Sequence, residues 1–452
     1  MESGMDYLRP LGNSESFIDA CHSQGNLNHA FAFGLVAPTP LEAGRVDEVV
    51  RSLQASHVLL NTRIARRATG KWFARSYVRV EVKHEKIKTD SRSEDRRKIV
   101  STALHEKFPV ETGPLWRVVF LDVGKDEEGH RYLLIVSFHA AIADTETGIR
   151  FGFHVIDRLG SPPEPSPRPT VVEMPRSVEE HLGRENTEVT WRDGMRAARL
   201  VLGYLWGHSN PYLRKFPQPA ELTHETRYIE DGLSREDTTR LLKACEDGRV
   251  GLHPLVAVAG AMALNAIVHD GDAPPKAVSF VTTHEVNLRE YFRDLEDPIY
   301  GSQITYCHLP LWIPPSNGKI WDNAKRFSLQ FRNFLAAKKP LQDMRIYSRL
   351  MGDPETTFAS LAGDVKSINE FGTSVVQIPR RTAPANLRCT EVLRWVSAAN
   401  MGTPFTHRAT VFDDRLFYCL NYYTTFVTPI QANAYAAKTM EYLRLALAEI
   451  SA

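Results

Sequence analysis

Arg131-Tyr132-Leu133-Leu134-Ile135-Val136-Ser137-Phe138 runs without a break into His139-Ala140-Ala141-Ile142-Ala143-Asp144. The first eight residues are apolar enough to form a buried strand. Upstream, Leu115-Trp116-Arg117-Val118-Val119-Phe120-Leu121 is a second apolar run. The segment Asp122–His130 between them is rich in turn formers, so the pair predicts a hairpin of two buried strands. Downstream, Thr145 leads into a helix-like run through Gly148 and Ile156. A polar cluster placed directly after a buried strand sits at a sheet edge, where catalytic groups are commonly mounted. Imidazole takes up and returns a proton near neutral pH, which makes a histidine at such an edge a candidate acid or base. Two structural roles compete with this reading. Asp144 is a good helix cap ahead of Thr145-Glu146-Thr147, and His139 fits a strand-end histidine bonded to backbone.

Outward from this stretch, helical and strand-like segments alternate irregularly in both halves. Leu41 to Ala55 has helical spacing, Trp72 to Val82 alternates like a strand, and Arg97 to Phe108 is again helical. Five prolines between Gly160 and Pro169 cannot continue a helix or sit in a central strand, so that stretch is expected as an extended surface segment within a proline-rich crossover over 160–190. A helical stretch starting near Trp191 ends at Ser209-Asn210-Pro211 and Phe216-Pro217-Gln218-Pro219. The lobe boundary is therefore placed at 215, giving an N-terminal lobe 1–215 and a C-terminal lobe 216–452. In the second half, Ser234 caps a helix through Ala244. His253 to Val268 reads as a buried helix and Ala277 to Thr283 as a strand. Thr410–Phe412 and Arg415–Tyr422 form a hairpin, and Pro429 to Ile450 a closing helix. Lys319 to Lys339 carries Phe327, Phe331 and Phe334 on one face, as a helix packed on the second lobe would. These segments suggest two α/β sandwiches facing each other.

The chain has 452 residues, too many for one ordinary core, and two lobes of about 200 residues each follow. Hydrophobic residues make up 43% and charged residues 24%, an ordinary globular balance. The 55 Lys and Arg against 54 Asp and Glu give a net charge of +1, which offers no reason to propose nucleic acid or an anionic membrane as partner. Cys21, Cys245, Cys307, Cys389 and Cys419 form no CxxC pair and are expected as reduced thiols in or near the core. No apolar run approaches the roughly 18–20 residues that span a bilayer, and the acidic start Met1-Glu2-Ser3-Gly4-Met5-Asp6 lacks a signal core. A cytoplasmic, monomeric protein is the default. His154, His253, His284, His308 and His407 are scattered without ligand spacing, so no metal site is expected. The glycines form no phosphate-cradling loop.

The ordered segments resemble the superfamily of condensation domains and chloramphenicol acetyltransferases. It includes alcohol acetyltransferases, mycobacterial polyketide-associated acyltransferases and the plant BAHD enzymes. Members share a histidine, three residues and an aspartate, and many add a second histidine in front and a glycine behind. His139 matches the leading histidine, Asp144 the aspartate and Thr145 the glycine position, while Ala140 stands where the general-base histidine belongs. Leu8-Arg9-Pro10-Leu11-Gly12-Asn13-Ser14-Glu15 resembles the Arg-x-Leu…Glu opening of alcohol acetyltransferases. Val286-Asn287-Leu288-Arg289 is similar to the Asn/Asp-Leu-Arg motif, whose arginine pairs with the motif aspartate. Asn369-Glu370-Phe371-Gly372-Thr373-Ser374 takes the place of the plant Asp-Phe-Gly-Trp-Gly motif, departing from it at the acid and the tryptophan.

The resemblance implies an α/β fold of two chloramphenicol-acetyltransferase-like sandwich lobes with an active-site channel between them. It implies an acyltransferase that takes an acyl group from acyl-CoA, or from an acyl carrier protein, to a small-molecule alcohol or amine. No permanently bound cofactor is needed. It also implies a structural ion pair between Asp144 and Arg289, and an oxyanion region at Asn369, Phe371, Gly372 and Thr373. The intact surroundings of Ala140 favour an inactivated variant of a histidine-bearing enzyme. The alternative is a natural base-free relative that binds a ligand or guides a pericyclic or elimination step.

Overall fold

The computed structural model describes the chain apart from residues 1–5, 88–91, 163–170, 185–189, most of 193–222, 270–277, 293–299, 315, 317, 351, 362–369, 383, 385, 398–402 and 451–452. Residues 163–170 and 185–189 of the crossover, most of the helical stretch from Trp191 and most of the breaks before residue 220 lie outside the described residues, as does Asn369; within the described part of the crossover Val178–Arg184 is helical.

The described strands are β1 (Tyr7–Pro10), β2 (Asn28–Ala37), β3 (Thr62–Arg67), β4 (Gly70–Arg75), β5 (Val82–Lys86), β6 (Trp116–Asp126), β7 (Gly129–His139), β8 (Thr226–Leu233), β9 (Val278–Asn287), β10 (Ile304–Ile313), β11 (Phe371–Gln377), β12 (Arg388–Val396), β13 (Phe405–Phe412) and β14 (Arg415–Tyr423). The helices are α1 (Asn13–Gly25), α2 (Ala43–Ser56), α3 (Arg92–His105), α4 (Thr145–Gly160), α5 (Val178–Arg184), α6 (Arg235–Asp247), α7 (Leu252–Val268), α8 (Ile320–Ala336), α9 (Lys339–Leu350), α10 (Pro354–Leu361) and α11 (Pro429–Ile450). Their mixture gives the two-lobed α/β architecture that the sequence suggested.

Strands β12-β2-β7-β6-β5 form the sheet of the first lobe, β10-β9-β11-β13-β14-β8 that of the second, and β1-β4-β3 a small accessory sheet. The expected hairpin is present as β6 and β7, with Trp116 opposite Phe138. The strand β2, for which no sequence signal was noted, runs antiparallel to β7 at the centre. It is buried along its whole length, as a strand packed on both faces must be. One expected strand, Trp72 to Val82, is instead two. Between Arg75 and Val82 the backbone finds partners outside any ladder. The Gln54 side chain bonds Val78 O and Val80 N at 3.0 Å each, and Ser76 N bonds Asn61 O at 2.8 Å.

The two halves of the chain exchange one strand. Strand β12 belongs by sequence to the second half but pairs with β2, Arg388 opposite Val36 through Val396 opposite His29. The first sheet is therefore completed by a strand from the far side of the chain, which brings the inner face of the second sheet against it.

Helix α4 starts where the β7 turn ends and packs on β2 closely enough to exclude any side chain at two positions. A Cβ on Gly148 would lie 2.1 Å from the Phe31 ring, and one on Gly152 2.0 Å from the Phe33 ring. The second sheet has two distinct faces, set by strand alternation. Phe371 and His407 point toward α7 and α11, their rings 5.0 Å apart, and His407 bonds Tyr435 of α11. Ser374, Glu285, Arg408 and Thr410 point toward the first lobe, where Arg394 and Thr145 meet them.

Candidate active site between the lobes

Asp144 holds the turn after β7 in place through three kinds of bond. Its Oδ1 accepts from Thr147 N at 2.9 Å, which makes it the N-cap of α4. Its Oδ2 accepts from Arg289 Nη1 at 2.7 Å and from Gln303 N at 2.8 Å, and Arg289 Nη2 reaches Oδ1 at 3.2 Å. Capping and ion pairing are thus one arrangement. The two side chains are 0% and 8% exposed, and a bidentate fork of this kind is a guanidinium geometry that lysine does not reproduce. Arg289 is in turn aimed by Asn287 Oδ1, which accepts from its Nη1 at 3.2 Å, and by Gly301 O at 2.9 Å. Arg9 of the opening motif pairs with Glu15 through two bonds of 2.7 Å.

His139 faces away from this clamp. In the antiparallel register it pairs with Asn28, whose side chain bonds Leu104 and Glu106 carbonyls. The His139 ring lies 4.4 Å from that of His22, and its Nδ1 accepts from Ala141 N at 3.1 Å. That bond assigns the remaining proton to Nε2, which sits 3.4 Å from Asp19 Oδ1. Lys71 Nζ lies 2.5 Å from the other Asp19 oxygen. Burial opposes ionisation of Asp19, but its contacts with His139 and Lys71 outweigh it and hold its carboxyl down to about 2. His139 is therefore a structural histidine that shapes the turn. Ala140 follows it, 2% exposed, with a methyl group that accepts no proton.

On the α4 side of the turn, charged and polar side chains from both lobes converge. Arg394 of β12 is almost completely buried and fully bonded: Nε to Thr410 Oγ1 at 3.0 Å, Nη1 to Ser374 Oγ at 2.9 Å and Thr145 Oγ1 at 3.2 Å, Nη2 to Ser374 O at 2.7 Å and Ala409 O at 2.9 Å. Burial, and after it the charge of Arg408, lowers its pKa to about 9, so it stays protonated at pH 7. Arg408 Nη1 lies 3.3 Å from Glu285 Oε2, and Thr145 Oγ1 donates to Glu285 Oε1 at 2.5 Å. Burial alone would raise the pKa of Glu285, but Arg408 and Arg394 override it and bring it down to about 2. Beside Glu285 in the β9–β10 register stands Tyr306. It is 39% exposed, so this face of β10 is partly open to solvent.

The sequence-derived residues separate into groups. Asp144, Ala140 and Arg289 come together around one turn, and Gly372 belongs to the strand face turned toward it. Phe371 does not line the channel as the resemblance implied; it packs in the second core against His407. Thr373, two residues on, shares that face and pairs in register with His407 and His284. Alternation along β11 is the reason, because neighbouring residues cannot face the same side. Glu370 accepts from Val281 N at 2.6 Å, and burial pushes its pKa up to about 8. His29, Glu285, Arg394 and Arg408 were missed. A charged residue inside the β-like runs Leu393–Val396 and Phe405–Phe412 was the available signal, since such positions are rarely charged unless paired.

No protein-family model matches the sequence, and no curated protein matches it. Solved structures do match in shape. A polyketide synthase associated protein 5 from Mycobacterium tuberculosis aligns with a TM-score of 0.65 at 15% identity, over 98% of each chain. The first condensation domain of the calcium-dependent antibiotic synthetase aligns at 0.69 with 14% identity, over 99% of this chain and 97% of the other. A trichothecene 15-O-acetyltransferase from Fusarium sporotrichioides aligns at 0.69 with 12% identity, over 97% and 95%. The chain thus has the two-lobed fold of condensation domains and the acetyltransferases related to them, with its Asp144–Arg289 clamp between the lobes.

Proposed function

We propose that this protein transfers an acyl group from a thioester to the hydroxyl of a small-molecule acceptor, a natural product being the best fit, with acyl-CoA as the favoured donor. The observation that carries the reading is the Asp144–Arg289 clamp. It fixes the turn 139–143 against the second lobe in a chain whose fold is shared by an O-acetyltransferase. A nucleophile entering between the lobes would meet this turn, and the acyl thioester would come from the opposite mouth. A second feature supports the donor. A cavity of about 1130 Å³ between the sheets is lined by Arg96, Arg97, Arg131, Arg227 and Arg415 against Glu230 and Glu391; Arg96, Arg131 and Arg227 are held in ion pairs, and Arg97 and Arg415 are the cations suited to the phosphates of coenzyme A.

Ala140 reads as the truncation of a general base, which makes the chain an impaired form of such an enzyme. Restoring imidazole as Ala140→His raises ester formation about 10²–10⁴-fold. The test mixes acyl-CoA donors of increasing chain length with a panel of alcohols and detects esters by mass spectrometry. A parallel arm replaces acyl-CoA with an acylated carrier protein, since several chains of the same fold are synthetase domains. If neither the parent nor the Ala140→His chain forms an ester or amide from either donor, the acyltransferase reading is wrong and a base-free binding pocket replaces it.

A further inference from the structure

His29 is the second residue of β2 and lies beside the end of β7. Asn28 pairs with His139 and His29 with Phe138, and Ala140 N continues the ladder to Leu27 O at 3.4 Å. Alternation turns Asn28 and His139 to one face of the sheet and His29, Phe31 and Phe138 to the other. His29 therefore looks toward the head of α4, the side of the sheet on which Arg394 and Thr145 meet the second lobe. Its ring is 2% exposed, yet neither Nδ1 nor Nε2 has a hydrogen-bond partner among the described residues. A buried polar group left in that state costs about 1–3 kcal/mol, and native folds carry few of them.

The neighbourhood shares this property. Arg408 of β13, Glu285 of β9, Asp144 at the start of α4 and Arg394 of β12 are the charges that act on His29. Of these, Arg408 Nε lacks a hydrogen-bond partner among the described residues, and Glu285 Oε2 has the 3.3 Å ion-pair contact with Arg408 Nη1. An unmet imidazole from the first lobe thus faces an incompletely bonded ion pair from the second, next to the fully bonded Arg394. Such an arrangement suits a polar guest.

We propose that His29 is the proton acceptor between the lobes, serving where Ala140 cannot. The inference rests on the acyl-transfer reading. As the acceptor oxygen bonds to the thioester carbonyl carbon, its proton passes to the free imidazole nitrogen of His29. Collapse of the tetrahedral adduct breaks the C–S bond, and the same proton leaves on the thiol sulfur. Ester and free thiol are the products, and His29 returns to its neutral form. Burial, and after it Arg408, lowers the imidazole's pKa to about 4, so the lone pair is available at pH 7. Glu285 and Asp144 act in the opposite sense and favour the imidazolium formed during the step.

The test measures thiol release and ester formation from acyl-CoA and alcohols by the full chain, by His29→Gln, by Ala140→His and by the double variant. The expected result is slow turnover by the parent, a loss of about 10²-fold in His29→Gln with an unchanged melting temperature, and retention of the Ala140→His rate in the double variant. The pH profile separates proton transfer from support of the fold. The parent's rate stays flat from about pH 8 to 5, whereas Ala140→His gains an acid limb near about 6.5. Should His29→Gln fail to fold, His29→Asn and the parent's pH profile carry the test. Turnover in His29→Gln within about twofold of the parent overturns the inference, as does an inactive parent beside an active Ala140→His. Inactivity of both overturns the acyl-transfer reading, and the inference falls with it.

Discussion

His407 and His29 occupy opposite environments although both are buried, at 0% and 2% exposed. Burial lowers the pKa of both, to about 3 and about 4. His407 lies in the core of the second lobe, and its two ring nitrogens meet the Tyr418 and Tyr435 hydroxyls at 2.7 and 2.8 Å. His29 lies between the lobes, and its two ring nitrogens meet no hydrogen-bond partner among the described residues. Burial therefore does not separate a structural histidine from one held for a ligand. The state of its hydrogen bonds does, because a closed network repays the cost of taking an imidazole out of water and an open one leaves that cost standing.

The largest expected effect concerns the Asp144–Arg289 clamp. Arg289→Ala leaves the Asp144 carboxylate buried and uncompensated, which costs about 3–5 kcal/mol. Denaturant unfolding of the purified protein measures it, and a loss below about 1 kcal/mol would show that water replaces the guanidinium. Next, the two histidines answer the same substitution differently. His407→Phe removes one partner from the Tyr418 hydroxyl and one from that of Tyr435, which keeps Gly260 O, and costs about 2 kcal/mol or more. His29→Leu removes an unsatisfied group and changes stability by no more than about 0.5 kcal/mol, or raises it. Equal losses at the two sites would break the comparison. The smallest effect is on pH response. Each imidazole is neutral in the fold and has an ordinary pKa near 6.5 when unfolded, so the unfolded chain binds more protons between about pH 6.5 and 4. Stability falls as the pH drops through that window, and the fall is shallower in His407→Phe and in His29→Leu than in the parent.

Much of the site was legible in local sequence. The apolar hairpin, the aspartate after it and the Asn287-Leu288-Arg289 motif each carry their signal within a few residues. Asp144 and Arg289, 145 positions apart, became a pair only through a resemblance between ordered motifs. The opposite face of the turn was not legible. Nothing in the spacing of Asp19, Lys71 and His139 announces that they meet, since they come from a helix and two strands of different sheets. Phe371 and Thr373 were assigned to the channel from a motif that does not specify which strand residues face outward.

By itself the sequence determined the kinds of elements, the turn that follows β7 and the absence of a proton acceptor at Ala140. These follow from periodicity, capping and residue chemistry, which act over one or two turns of chain. The tertiary structure decided that β12 crosses into the first sheet, carrying Arg394 against Ser374 and Thr145. It also decided that His29 lies unbonded on the α4 side of that sheet, among the charges of Arg408, Glu285 and Asp144. Those outcomes depend on which faces are pressed together, and long-range strand pairing sets that one register at a time.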